Sequence, residues 1–253
     1  MRYRCTCVVL CTLMLGACAS APTYIALPDA AKSQLTSTDV VAAIPQSEIA
    51  VYVPATNPSM AGGGLIGALI TTSIDDVRVT KAEEALEPLR NALIGYDFDQ
   101  MAAAELKTAL STQTILNVTG VTAVKNVSAK LTNAVTGSKS AAVLVTAFDY
   151  HLEYDGIGLT VNLTANLFPN TDTLKTLRPL KGNKQILAPQ NALYHRTFMH
   201  IEMIPNTPAK IDRNTMIARW SADNGAAMRN ALTKAVTDLA HQLAADFAPA
   251  AAK

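Results

Sequence analysis

The sequence predicts an α/β or α+β fold, a mixed β-sheet with packed helices and a long C-terminal helix, because strand patterns and helix patterns alternate along it. Three stretches carry this expectation. Residues 142 to 154 are apolar on both faces at first and then place Phe148, Tyr150, Leu152 and Tyr154 opposite Asp149, His151 and Glu153. Residues 159 to 168 set Val161, Leu163, Ala165 and Leu167 against Thr160, Asn162, Thr164 and Asn166. Met228, Leu232, Ala235, Val236, Leu239 and Leu243 repeat at helical spacing. The first of these strands should start in the centre of the sheet and end half exposed.

Taken in order, Val40 to Ile44 and Glu48 to Val53 are β-branched runs on either side of Pro45-Gln46-Ser47, which predicts a strand, a turn and a second strand. Pro54, Pro58 and the glycines at 62 to 64 end that pattern. Met60 to Ile74 is uncharged and rich in small residues, and it is too short to span a bilayer. It reads as a buried or partly exposed glycine-rich helix start, with membrane or subunit contact through Gly62 to Ile74 as the alternative. Ala82, Ala85, Leu86, Leu89 and Leu93 then recur at helical spacing, and Pro88 should kink that helix or begin another.

Asp97 or Asp99 is the expected cap of a helix through Leu106 and Leu110. Thr114 to Val124 reads as a strand and Ser128 to Val135 as a short helix. Asp155-Gly156-Ile157-Gly158 supplies the turn of a hairpin. Residues 169 to 192 read as a polar loop. Leu193 to Ile204 reads as a strand with Thr197, Met199, Ile201 and Met203 turned inward. Ser221 or Asp223 should cap the last helix, Trp220 should plug the core, and the tail after Phe247 should fray.

The N-terminus carries a different signal. Arg2 and Arg4 precede an uncharged run from Cys5 to Ala17, which has the length of a secretory apolar region and falls short of the roughly 20 residues of a spanning helix. The small pair Gly16-Ala17 leads straight into Cys18. Leu15-Gly16-Ala17-Cys18 closely resembles the lipobox of bacterial lipoproteins. That resemblance implies that residues 1–17 are a signal peptide and that Cys18 becomes the acylated N-terminus. Ala19, standing where an Asp would favour retention at the inner membrane, implies the periplasmic face of the outer membrane.

Acyl chains contribute roughly 0.8 kcal/mol per buried methylene, so more than one chain makes a stable anchor. Residues 18–38, with Pro22 and Pro28, read as the anchor and a flexible tether, and residues 39–253 as a single globular periplasmic domain. Cys5, Cys7, Cys11 and Cys18 all lie at or before the proposed cleavage point, so the mature chain has no internal disulfide to form. The order of its elements loosely resembles the periplasmic α/β lipoprotein domains of the curli-secretion and penicillin-binding-protein-activator type. Likeness of layout does not license a function.

Without its first 17 residues the chain has 19 basic and 20 acidic residues. That balance argues against a nucleic-acid partner. The charges are nevertheless segregated. Asp75, Asp76, Glu83, Glu84, Glu87, Asp97, Asp99 and Glu105 face only Arg78, Lys81 and Arg90 within residues 75 to 105. Lys175, Arg178, Lys181, Lys184 and Arg196 have no acid among them within residues 173 to 201, which makes them the candidate contact for an anionic partner.

Catalytic and cofactor signals are thin. Gly62-Gly63-Gly64-Leu65-Ile66-Gly67 satisfies G-x-G-x-x-G, but a loop with two prolines separates it from the preceding strand, which does not fit dinucleotide binding. Asp97-Phe98-Asp99 reads as a helix cap before it reads as a cation site. His195 and His200 are five apart on opposite faces of one strand, and His151 and His241 lack ligand spacing. No metal, cofactor or catalytic residue is expected. The reading is a non-enzymatic accessory or structural lipoprotein of the envelope, with an envelope protein or glycan as partner. The alternatives are an oligomeric secretion or assembly-type lipoprotein, and a small hydrolase that would need titratable groups converging near His151, His195 or His200.

Overall fold

In the computed structural model, residues 24–54, 76–125, 127–179, 187–207 and 212–249 are described. Residues 1–17, read above as a signal peptide, and Cys18, Gly62 to Ile74, Lys181 and Lys184 lie outside them. The strand that is apolar on both faces is the hub of the sheet. This strand, β5 (Ala142–Leu152), follows β1 (Tyr24–Ile25), β2 (Thr38–Ile44), β3 (Ala50–Val51) and β4 (Val118–Lys125), and precedes β6 (Gly158–Pro169) and β7 (Tyr194–Met203). The sheet order is β1-β7-β6-β5-β2-β4, and β3 also pairs with β5. β2 runs parallel to β4 and β5, while β6 is antiparallel to β5 and β7. The predicted mixed sheet and the β5–β6 hairpin are both present.

The sheet has an unequal pair of faces. The helices are α1 (Asp29–Lys32), α2 (Asp76–Ala85), α3 (Glu87–Ala92), α4 (Phe98–Leu110), α5 (Val127–Gly137), α6 (Asp172–Leu177) and α7 (Arg213–Asp246). Val40, Ala42, Ile44, Leu144, Phe148, Val161 and Leu163 face one large core with Leu89, Leu106, Met228 and Leu239 of α3, α4 and α7. Val41, Ala43, Val143 and Val145 face a smaller core with Leu131 and Val135 of α5. Because α5 covers β2 and β4, the first half of β5 is buried on both faces and its second half on one only. Pro88 begins α3 instead of bending α2, as a residue without an amide donor does best in a first turn.

Four sequence expectations are corrected. The stretch assigned to the tether joins the fold early: Tyr24 and Ile25 pair antiparallel with Arg196 and His195, and Ala31 and Leu35 are fully buried. A long-range strand partner, absent from any local pattern, orders this segment. Residues 169 to 192 include α6 and a single 3₁₀ turn at Pro189–Asn191, so they are not all loop.

The inward face of β7 is also the reverse of the one expected. Tyr194 and Phe198 are buried, whereas Met199, Ile201 and Met203 are 60%, 50% and 55% exposed on the open face. The register puts Phe198 opposite Leu163 and Tyr194 opposite Leu167, both core residues. Three polar side chains therefore turn inward, and α7 supplies their partners. Arg196 lies 2.6 Å from Asp246, Glu202 2.7 Å from Lys234, and His200 3.4 Å from Asp238. A count of apolar residues along β7 cannot see those ions.

Finally, α7 starts earlier than expected. Asp212 is its cap, accepting from the Thr215 amide at 3.0 Å and the Thr215 hydroxyl at 2.6 Å. Ser221 and Asp223 cap nothing there. Ala222 leaves the helix at φ −56°, ψ 152°, and Asp223, Asn224 and Gly225 follow with φ of 51°, 57° and 71° before the second arm resumes. Trp220, at the end of the first arm, is buried as expected, and its indole Nε1 donates to Gly156 O at 2.8 Å. Arg229 of the second arm donates to Asn224 O at 3.0 Å and to Ala92 O at 2.8 Å, tying the break to the end of α3.

Gly225 is held here twice over. Its φ is left-handed, and a Cβ on it would lie 3.3 Å from Ala92 O. Gly225→Ala should therefore destabilise the fold by at least about 1–2 kcal/mol, the cost of a left-handed L-residue, measured as a lower midpoint in urea unfolding.

Candidate functional site

A cavity lies where β2 stops. β2 pairs with β5 as far as Ala147, and β3 resumes at His151, leaving a gap along that edge of β5. Gln46 fills it with its side chain, donating from Nε2 to Tyr150 O at 2.8 Å and accepting from the Tyr150 amide at 3.0 Å. An amide side chain thus stands in for one missing backbone rung. Pro45-Gln46-Ser47 was legible as a turn, but this rung was not.

Beside the gap, a cleft of about 540 Å³ opens at the carboxyl ends of β2 and β4. Its walls include Glu48 and Ile49 before β3, Arg90 and Leu93 at the end of α3, Tyr96 to Asp99 at the start of α4, Lys125 and Tyr150. In open α/β sheets this end of the parallel strands is the usual place for a ligand. The Phe98 ring lies 4.3 Å from that of Tyr150 and 6.1 Å from that of Phe148, which fixes the aromatic floor.

Most of the charge in the cleft is paired. Arg90 donates from Nε and Nη2 to Ile49 O at 3.2 and 2.9 Å, contacts Glu83, and lies 3.3 Å from Glu48. It pins the segment before β3 onto the helices. Lys125 lies 3.1 Å from Asp99, and Asp97 accepts from the Gln100 amide at 3.0 Å as the cap of α4. Asp97-Phe98-Asp99 is therefore cap, ring and ion pair. Burial pushes the Tyr150 hydroxyl above its ordinary pKa, with the nearby Asp99 carboxylate adding to the shift. Burial raises Tyr96 as well, against the pull of Thr233 and Arg229.

Of the residues singled out for an anionic partner, the three that are described, Lys175, Arg178 and Arg196, each have a partner within the chain. Lys175 lies 3.5 Å from Asp172, Arg178 donates to Gln190 O at 3.1 Å, and Arg196 is spent on Asp246, with its guanidinium 4.7 Å from the Phe198 ring centre. Asp246 also accepts from the Tyr194 hydroxyl at 2.8 Å. Burial first, and this carboxylate second, raise the Tyr194 pKa. Asp172, one residue before the basic window, is what the sequence count left out.

The histidines are dispersed. His195, buried on the face turned away from α7, has Nδ1 2.7 Å from Asn166 Oδ1, and His200 lies between Glu202 and Asp238 under α7, so the two do occupy opposite faces. His151 stacks at 5.6 Å from the Tyr52 ring with Glu153 3.7 Å away. Among the described residues no three His, Cys, Asp or Glu side chains converge as a metal site would require.

The open face carries a polar row that sequence reading did not single out. Asn162 donates to Asp149 at 2.9 Å, Thr160 donates to Glu153 at 2.8 Å, and the Thr164 and Thr197 hydroxyls lie 3.1 Å apart. Burial holds the Asp149 carboxyl above its ordinary value of 3.8, opposed by Asn162 and His151. A raised folded pKa means that folding favours the protonated form. Its contribution to stability is present below the unfolded value and is lost as pH rises through the folded one. Asp149→Asn should therefore raise the thermal midpoint at neutral pH, and that gain should vanish below the ordinary carboxylate range in scans against pH.

No family model and no curated protein matches the chain. Among solved structures it is similar to the PelC dodecamer from Paraburkholderia phytofirmans, at 12% identity and a TM-score of 0.29, over 91% of this chain and 95% of that one. A single-residue variant of the same dodecamer gives 12% identity and a TM-score of 0.27, over 84% and 90%. Likeness at this level carries no argument about site or function.

Proposed function

We propose that this chain is a lipid-anchored accessory module of the bacterial envelope, held through Cys18 at the periplasmic face of the outer membrane and acting by binding instead of catalysis. The observation that carries the reading is Leu15-Gly16-Ala17-Cys18 at the end of a short apolar run with Arg2 and Arg4 before it. The position of β1 sharpens it. Tyr24 enters the sheet six residues after Cys18, a reach of about 20 Å when fully extended. The domain then works against the membrane surface. No helix among the described residues is long and apolar enough to cross a membrane.

Self-association is a second reading, favoured by one observation. Met199, Ile201 and Met203 stand exposed in a row on the open face of β7, and Met203 Sδ and Ile201 Cγ2 lie 3.3 and 3.8 Å from the point where Gly158 would carry a Cβ. A contiguous apolar patch of this kind is what subunit contacts cover.

Cys18→Ser should leave the membrane fraction for the soluble fraction when cells are lysed and sedimented, and retention of this variant with the membrane would contradict the anchor. For the second reading, light scattering of the purified full chain should give a multiple of the monomer mass that Ile201→Lys reduces to one. A wild-type chain that is monomeric at every concentration would sink self-association.

A further inference from the structure

The cleft beside Tyr150 has the size, place and lining of a ligand site. Its volume of about 540 Å³ falls within the roughly 300–1,000 Å³ of small-molecule sites. We propose that it holds a neutral pyranose segment of a glycan.

The argument starts from charge. Arg90 is shared among Glu83, Glu48 and the Ile49 carbonyl, Lys125 is paired with Asp99, and Asp97 is committed to the Gln100 amide. An anionic ligand would meet the carboxylates of Glu48, Asp97 and Asp99, and a cationic one would meet Arg90 and Lys125. An anionic ligand would surrender its hydration without finding a free counter-charge, and a cationic one would find only the Asp97 carboxylate, already held by the Gln100 amide in a cleft that also carries Arg90 and Lys125, so either is costly. A neutral ligand avoids that cost. It still meets donors and acceptors, because a carboxylate that accepts one hydrogen bond retains further lone pairs and a guanidinium carries five N–H groups.

The lining selects among neutral ligands. Ile49, Leu93 and Leu232, with the Phe98 and Tyr150 rings, give an apolar wall, and the charged pairs stand around it as a polar rim. A pyranose matches this division with an apolar face of C–H groups and an edge of hydroxyls, each able to donate and accept. The Gln46 rung and the Arg90 clamp hold the wall in place before anything binds, so little ordering has to be paid on binding. The inference gives the envelope module its ligand, yet it depends on the cleft and not on the anchor.

Calorimetric titration of the full chain in detergent with cellotriose and with triacetylchitotriose tests it. The charged comparators are triglucosamine as cation and trigalacturonate as anion. At least one neutral trisaccharide should saturate with a Kd on the order of 1 mM or tighter, and the charged ones should not saturate over the same range. Ile94 lies at the lip of the cleft and is 75% exposed, so Ile94→Trp should narrow the mouth without touching the core and weaken binding at least about tenfold. Its thermal midpoint should match that of the wild type. Tyr150→Phe, which keeps the ring and removes the hydroxyl, should also weaken binding. Absence of saturation with both neutral trisaccharides would overturn the proposal, as would equal or tighter binding of a charged one, or unchanged affinity in the folded Ile94→Trp chain. The membrane partition of Cys18→Ser reports on the anchor alone, so the two readings fail separately.

Discussion

The change of environment along β5 is the constraint from which the rest of this structure follows. Its first residues, Ala142 to Val145, lie between two helical layers and are apolar on both sides. From Phe148 onward only the even residues are covered, and Asp149, His151 and Glu153 emerge on the open face. No single helix arrangement could satisfy both halves, so α5 covers β2 and β4 and stops short of β6 and β7. The larger core runs beneath both halves of the strand, and the second face adds a smaller one, each buried large aliphatic side chain contributing about 1.5–3 kcal/mol.

The open half of the sheet depends on α7. This helix has an apolar stripe for β6 and a charged flank for β7, and the flank converts inward-turned Arg196, His200 and Glu202 from a liability into a set of pairs. Lys234 lowers the Glu202 pKa first of all by hydrogen bonding, assisted by His200. These pairs are partly exposed, and solvent screening keeps the contribution of each small. Their effect is chiefly on register. With the even residues of β7 accommodated beneath α7, Met199, Ile201 and Met203 are left facing outward.

The cleft has the same kind of origin, in an element that ends too soon. β2 stops at Ile44 because Pro45 cannot donate to a ladder, and β3 begins only after Gln46 has bridged the gap and Arg90 has fixed the segment before it. Space opens beside Tyr150, roofed by the turn that Gly95 makes at φ 79° and by the cap at Asp97. An interruption in pairing that would otherwise weaken the sheet is stabilised by two side chains and leaves a lined cavity.

The sequence by itself determined the hairpin, the central strand and the capped helix after Asp97, because each rests on a local period or a local hydrogen bond, and the burial of Trp220 followed from its large apolar ring although its indole partner, Gly156, is distant in sequence. A third of the candidate site was legible in the same way: Asp97 and Asp99 stood out as a pair, but Arg90, Lys125, Gln46 and Tyr150 join them only through partners 26 to 104 residues away. Tertiary structure alone decided that Tyr24 and Ile25 form a strand, that β7 turns its methionines outward, and that α7 breaks at Gly225 against α3. The physical reason is common to all three. A side chain's own pattern states what it would bury in isolation, whereas its partner across the sheet or under the helix settles which face is the inside.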